Sequence, residues 1–248
     1  MVITGAGGGL GRALVAEFSA AGAWVTACDR DSDALAGLQA ARLCCFDLRD
    51  HRATSTAVQA LIAEAGAPDV LINNAGWTRA ETMASLTPDN IAAEVELNLT
   101  SVMALTSALV AAMVGRGGGS LVFISSVNAL AHFGNPAYAA AKAGIDAFAR
   151  AVAVEHGRHG IRANTVCPGS VRTPAWDHRL ARDPTIMGKL ARLYPLGRIV
   201  ESAEVVAAVL FLASNRASGI TGVTLPVDAG LTAGNMTFIN DILGAEPM

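Results

Sequence analysis

Tyr138 and Lys142 stand four positions apart in "NPAYAAAKAG" (135–144), in a chain of 248 residues with only two tyrosines and two lysines. A phenol exchanges protons poorly near neutrality, because its ordinary pKa is about 10. An adjacent ammonium favours the phenolate. At about 4 Å and an effective dielectric near 20 the attraction is roughly 4 kcal/mol, an upper bound equivalent to about three pKa units. Residues four apart share one face of a helix. Asn135 and Pro136 read as its N-cap and first-turn residue, which puts Tyr138 in the opening turn, where the helix dipole acts in the same sense. Tyr138 is therefore predicted to be a general acid or base made competent by Lys142. The competing reading is a tyrosine beside a solvated lysine on an ordinary helix face. Two further stretches weigh against it. "SLVFISS" (120–126) ends in Ser125 and Ser126, whose hydroxyls could hold a substrate oxygen, and "LINNAG" (71–76) ends another apolar run in small and polar residues. Ligands of open parallel sheets bind at such strand ends.

"TGAGGGLG" (4–11) follows the first apolar run and opens a helical pattern. Glycine there lets a strand turn sharply into a helix and lets a pyrophosphate approach backbone N–H groups at the helix start. An ordinary tight turn would use glycine too. Asp29, at the end of the next apolar run, lies eighteen positions after Gly11, near the spacing at which an acid meets an adenosine ribose. A carboxylate there repels a 2′-phosphate, so NAD is expected over NADP. Arg30 argues the other way, since a guanidinium welcomes that phosphate, whereas Gly8 offers no basic partner. The structural alternative for Asp29 is a helix N-cap.

These residues need a scaffold. Short β-branched or apolar runs alternate with stretches of helical period, the pattern of repeated βα units and a parallel sheet. Strands are predicted near 1–4, 24–28, 42–46, 69–72, 119–125, 161–166 and 223–227. Helices are predicted near 10–21, 32–40, 50–65, 88–114, 138–157 and 201–213, with a polar, irregular excursion over 170–198. No linker or repeat divides the chain, so a single α/β domain over 1–248 is expected. The longest apolar passage (97–114) is interrupted by Asn98, Thr100, Ser101, Thr106 and Ser107 and reads as a buried helix, not a membrane span. No signal peptide is expected before "MVITGAGGG".

Apolar residues make up 52% of the chain and charged ones 16%, a composition that suggests surface covered by sister subunits. A net charge of −3 argues against nucleic acid as the main partner. Cys28, Cys44, Cys45 and Cys167 lack the spacing of a zinc site or a disulfide framework. A reduced, cytoplasmic location is the expectation.

Taken together, the TGxxxGxG pattern at Gly5, Gly9 and Gly11, NNAG at 73–76, a serine before YxxxK, and "NTVCPGSVRTP" (164–174) resemble the short-chain dehydrogenase/reductase family, along essentially the whole chain. The resemblance implies a Rossmann-type doubly wound parallel sheet of about seven strands with helices on both faces. It implies that Tyr138 exchanges a proton with the reacting oxygen and that Lys142 holds the nicotinamide ribose and lowers the tyrosine pKa. Ser126 would hydrogen-bond the reacting oxygen, and Asn98 would position a water in a proton relay. Leu10 lies within the glycine loop. Asp47 would contact the adenine, with Leu48 beside it, and Asn74, Ala75 and Gly76 would line the cofactor. Pro168, Gly169, Val171 and Thr173 belong to the "PGSVRT" segment, of which Val171 and Thr173 resemble a nicotinamide-carboxamide clamp. Three features depart from the family pattern. Ser126 precedes Tyr138 by twelve residues, one fewer than the commonest spacing, which leaves Ser125 open as the serine. The first strand is short. The end reads VDAG where VDGG is frequent.

The implied activity is interconversion of a secondary alcohol and a ketone. In 172–198, six basic residues (Arg172, Arg179, Arg182, Lys189, Arg192, Arg198) face Asp177 and Asp183, a local excess of four positive charges. That motivates a polar or anionic hydroxy substrate, such as a sugar derivative or hydroxy acid. A solvated helix face is the plainer explanation. Asn128 and His132 could touch substrate. Trp77, Phe133 and Trp176 could instead line an apolar pocket for a steroid or 3-oxoacyl thioester. A non-catalytic NAD(H)-binding regulator is the reading from a different class. Family resemblance implies a homotetramer or homodimer built partly from the helices at 88–114 and 138–157, with "TFINDILGAEPM" reaching a neighbouring subunit.

Overall fold

The computed structural model describes residues 1–79 and 82–244. Its strands are β1 (Val2–Thr4), β2 (Thr26–Asp29), β3 (Arg42–Cys45), β4 (Val70–Asn73), β5 (Gly119–Ile124), β6 (Ile161–Pro168), β7 (Val171–Arg172), β8 (Val200–Glu201) and β9 (Thr224–Val227). Its helices are α1 (Gly9–Ala20), α2 (Ser32–Leu35), α3 (His51–Ala65), α4 (Pro88–Val95), α5 (Ser101–Arg116), α6 (Pro136–His156), α7 (Asp177–Arg182), α8 (Ile186–Ala191) and α9 (Ser202–Ala213). Seven strands form one sheet in the order β3-β2-β1-β4-β5-β6-β9, and all its pairings are parallel. The order reverses between β1 and β4. At such a switch point the loops leaving two strand ends diverge and open a crevice.

Both faces of the sheet are covered, so the central strands are apolar throughout instead of alternating. Along β5, Leu121 and Phe123 enter one core with Leu105, Leu109, Met113 and Ile145, from α5 and α6. Val122 and Ile124 enter the other with Leu14, Phe18, Val205 and Val209, from α1 and α9. Pro88–Arg116 is long and apolar enough to cross a membrane by length and composition. It is instead a core element, since it buries Asn98, Ser101 and Thr106 as well as Leu105 and Leu109.

Four local expectations change. The helix expected over 32–40 stops at Leu35, and the chain turns at Gly37 with φ +77°. The helix expected over 88–114 is divided by a π-helical turn, Glu96–Thr100, centred on Asn98. Asn135 does precede α6, but in the left-handed region (φ 51°) and without a side-chain capping bond. The 170–198 excursion is not irregular: it contains β7, α7 and α8, and β7 pairs with β8.

Candidate active site

At the switch point lies a cleft of about 350 Å³. Gly5, Gly9, Leu10 and Gly11 form its floor, Asp29 and Arg30 one end, Asp47 and Leu48 a side wall, and Asn74, Ala75, Gly76 and Thr173 the other wall. The glycines are required by space. Gly5 has φ +62°, and a Cβ there would sit 2.7 Å from the Ala75 Cα; at Gly11 it would meet the Gly5 carbonyl oxygen at 2.0 Å. Thr4, which the sequence reading passed over, ties the walls together: its Oγ1 accepts from the N–H groups of Asn74 and Ala75, each at 3.1 Å. Asn74 returns its Nδ2 to the Thr4 and Gly5 carbonyls, both at 3.0 Å.

Asp29 is not a helix cap. Asp31 caps α2, accepting from the Asp33 and Ala34 N–H groups, while Asp29 accepts from Gly7 N (2.9 Å) and Asp31 N (3.2 Å) at the mouth of the cleft. Asp47 pairs with Arg49 at 2.6 Å, and that hydrogen bond holds its carboxyl below the usual range. A cradle of glycines, open backbone at the start of α1 and an acid at the end of β2 fits a dinucleotide.

Beyond Gly76 the cleft meets a buried polar group. A Cβ on Gly76 would lie 2.9 Å from the Asn98 Oδ1 and 3.2 Å from the Lys142 Nζ. Asn98, fully buried, accepts from Trp77 N (3.1 Å) and donates to the Trp77 carbonyl (2.8 Å), pinning the loop after β4. Lys142 donates to the Ile124 carbonyl at 2.8 Å, and its Nζ lies 5.5 Å from the centre of the Tyr138 ring. The serines part company. Ser125 donates inward to the Lys142 carbonyl (3.3 Å), whereas Ser126 donates to Asn128 Oδ1 (3.3 Å) and its hydroxyl stands near enough to Tyr138 to draw the phenol pKa down. Ser126, twelve residues before the tyrosine, is therefore the one at the phenol.

The tyrosine pKa lies above its ordinary value, not below it. Burial pushes the phenol up to about 12, against the pull of the Ser126 hydrogen bond. Burial also pushes Lys142 down to about 8, with Asp146, Cys167 and Glu94 acting in the opposite sense. One-turn spacing sets the ammonium against the ring and spends it on Ile124, not on the phenol oxygen.

Residues 5–232 match the protein family described as Enoyl-(Acyl carrier protein) reductase. An uncharacterized oxidoreductase of Schizosaccharomyces pombe is 39% identical over 98% of this chain and 94% of its own length. The crystal structure of an oxidoreductase of the short chain dehydrogenase/reductase family from Burkholderia thailandensis superposes with a TM-score of 0.92 at 41% identity, covering 99% of this chain and 97% of that one. The chain belongs to the short-chain dehydrogenase/reductase family. Members of this family couple NAD(P) to the interconversion of secondary alcohols and ketones, and that is this chain's reaction class. Also similar is a gluconate 5-dehydrogenase from Burkholderia cenocepacia in complex with NADP and tartrate, with 31% identity, a TM-score of 0.87 and 94% of both chains covered.

A second cavity of about 670 Å³ opens on the far side of Ser126. Asn128, Phe133, Gly169 and Trp176 line it, as do residues that the sequence reading missed: Tyr194 and the 231–237 segment, including Thr232 and Asn235. Tyr194, the chain's other tyrosine, accepts from Ser170 N at 2.9 Å. Its rarity was the available signal. His132 is exposed and does not line the cavity, because the loop turns it outward. Pro168 and Val171 line neither cavity: Pro168 ends β6, and Val171 packs into the core beneath β7. Trp77 lines the first cleft, not the second cavity. Among the described residues, no basic side chain lines the second cavity. Lys189 pairs with Asp183 (2.7 Å) and Arg198 with Glu204 (2.7 Å). The side chains of Asp177 and Arg179 lie outside those described, as do residues 245–248 of the tail.

Proposed function

We propose that this chain is an NAD-dependent secondary-alcohol dehydrogenase whose substrate is a neutral hydroxy compound with both polar and apolar parts. The contact between Ser126 and Tyr138 carries the reading. Ser126 lines the second cavity with Asn128, while Gly76 lines the first cleft and a Cβ there would come within 3.2 Å of the Lys142 Nζ, so the pair stands between cofactor-side and substrate-side residues. The glycine loop, Asp29, Asn74 and Ala75 would hold NAD, and its nicotinamide supplies the hydride acceptor. Ser126 holds the reacting oxygen, and Tyr138 takes its proton. Lys142 carries charge behind the ring, and Asn98 fixes the loop that walls the cleft.

NAD is favoured over NADP because Asp29 stands at the cleft mouth with two backbone donors already committed to it. A 2′-phosphate there would face an anion at close range. Neutral substrates are favoured because Asn128, Ser170, Thr232 and Asn235 supply the polar lining, beside Phe133, Trp176 and Leu193. Exposed apolar side chains on α5 (Met103) and α6 (Val154, 82% exposed) suit a homotetramer or homodimer. Four unpaired thiols suit the cytoplasm.

The test is kcat/KM over a panel of neutral polyols, hydroxy acids and apolar alcohols, with NAD and with NADP. Neutral compounds and NAD are expected to lead. A preference for hydroxy acids would overturn the substrate class, and tight NAD binding without turnover of any panel member would point to a regulator.

A further inference from the structure

Cys28 and Cys44 are direct register partners on neighbouring strands β2 and β3. Strands in a sheet run about 4.8 Å apart, within the Cα separations that a disulfide spans. Both side chains point to the same face, since Cys28 belongs to one core and Cys44 packs against that same core. Each strand then runs straight into the nucleotide cleft. Asp29 follows Cys28, Phe46 and Asp47 follow the β3 cysteines, and Cys28 itself lines the cleft.

We propose that Cys28 and Cys44 form a peroxide-reactive thiol pair whose oxidation to a disulfide weakens nucleotide binding. The two thiols act on each other across the paired strands: the Cys28 thiol holds Cys44 below the ordinary thiol range, with Arg42 acting in the same sense, while the Cys44 thiol and burial push Cys28 up. Cys44 is half-buried and Cys28 fully buried, so the more accessible thiol is also the more acidic one, the arrangement of an attacking and a resolving cysteine. Cys45 cannot replace Cys44, because it faces the other way, with its Sγ 3.5 Å from the Arg30 carbonyl oxygen. Cys167 lies elsewhere, against Asp146.

The oxidant is a hydroperoxide. The Cys44 thiolate attacks the outer peroxide oxygen, the O–O bond breaks, and the alkoxide leaves and takes a proton to become an alcohol, or water when the oxidant is hydrogen peroxide. Cys44 is left as a sulfenic acid. The Cys28 sulfur attacks it, the S–S bond forms, and the departing hydroxide combines with the Cys28 proton as water. Two thiols lose two electrons to one peroxide. The bond ties β2 to β3 one residue below Asp29 and shifts the cleft end that would hold the adenosine ribose.

The inference rests on nucleotide occupying the first cleft, and its two halves are read separately. Reduced full-length protein is treated with hydrogen peroxide and mapped by non-reducing peptide mass spectrometry, and the NAD Kd is measured before and after. A Cys28–Cys44 linked peptide is expected, lighter by two hydrogens, with a Kd at least five times weaker that dithiothreitol restores. Cys44→Ser should retain NAD affinity and lose the peroxide response. Saturating NAD should slow linkage in the unmodified chain, because bound nucleotide holds in place the cleft end that the new bond would shift. This measurement stands even where the variant fails to fold. Oxidation confined to Cys45, linkage with unchanged Kd, or a linkage rate indifferent to NAD would overturn the proposal. Failure to bind NAD in the reduced state would instead overturn the functional reading.

Discussion

Glu94 accepts a hydrogen bond from the Asn98 side-chain amide at 3.2 Å, one helical turn away, and is only 3% exposed. It also accepts from Arg79 N at 2.9 Å. Its charge raises the pKa of both Tyr138 and Lys142. A carboxylate in that position holds the loop after β4 and makes the proton-exchanging tyrosine harder to ionise. Glu94→Gln keeps the size and one acceptor but removes the charge. Both pKa values should then fall, and the acid limb of kcat/KM for alcohol oxidation, which needs the deprotonated phenol, should move to lower pH by up to about one unit. A purely structural role would lower the rate without moving the limb.

The serines can be separated by paired substitution. Ser126→Ala removes the group that meets both the phenol and the second cavity, so kcat should fall about 100-fold or more. Ser125→Ala removes a buried hydroxyl that donates to the Lys142 carbonyl and also acts on Asp146 and Cys167, away from the phenol. It should cost about 1 kcal/mol of stability and leave kcat within a few-fold. Steady-state kinetics alongside urea melts distinguish the two, and the reverse pattern would reassign the serine. Tyr138→Phe should bind NAD normally and lose the oxidation rate almost entirely.

Much of this was legible in the residue pattern. All seven strands of the main sheet were, because buried parallel strands are short continuous apolar runs between helical periods. The cleft was legible because glycine spacing and Asp29 report backbone and charge requirements that few other residues meet. The π-turn at Asn98 was hidden, since "AEVELNLTS" alternates apolar and polar residues within a longer helical stretch and that local pattern does not report where the backbone ladder slips. The second cavity was hidden for another reason. Tyr194 and the 231–237 segment reach it by long-range packing, which local periodicity does not carry. The basic excess over 172–198 is legible as a count, but charge counted along the chain says nothing of which way each side chain turns: Lys189 pairs with Asp183 and Arg198 with Glu204.

Asp29 offers the cofactor test. Asp29→Asn keeps an acceptor for Gly7 N and removes the anion. The ratio of kcat/KM for NAD over NADP should drop about tenfold, equivalent to about 1.4 kcal/mol, mostly through a lower KM for NADP. Arg30 lies at the same end of the cleft, so adding Arg30→Ala to Asp29→Asn should reverse part of that gain. An unchanged ratio in the single variant would remove Asp29 as the discriminating group.

Ala229, in the VDAG sequence, has φ 51°, the left-handed region where a Cβ costs roughly 1 kcal/mol. The turn is held there by Asp228, which accepts from Gly230 N (3.0 Å), Thr232 N (2.8 Å) and Thr232 Oγ1 (2.6 Å), and the segment it sets goes on to line the second cavity. Ala229→Gly relieves the strain but frees the unfolded chain. A net gain of about 0.5 kcal/mol in denaturant melts is expected, with kinetic constants unchanged.

Lys142 is 3% exposed, and burial lowers its pKa from the ordinary 10.5 to about 8. Between those values the unfolded chain holds a proton that the folded protein lacks, so stability rises with pH across about 8 to 10.5. Below pH 8 both states are charged, and the full burial penalty falls on the folded protein. At about 1.4 kcal/mol per unit the shift corresponds to some 3 kcal/mol, offset in part by the bond to the Ile124 carbonyl. Lys142→Met removes the buried charge and that bond together. It should therefore be inactive yet more stable than the parent by about 1–2 kcal/mol at pH 7, and the advantage should shrink as pH climbs from 8 towards 10.5. Urea melts at pH 7, 9 and 10 read the trend directly. A variant less stable at pH 7, or an advantage that grows with pH, would mean that the ammonium is compensated where it sits and is not a charge the fold carries for catalysis.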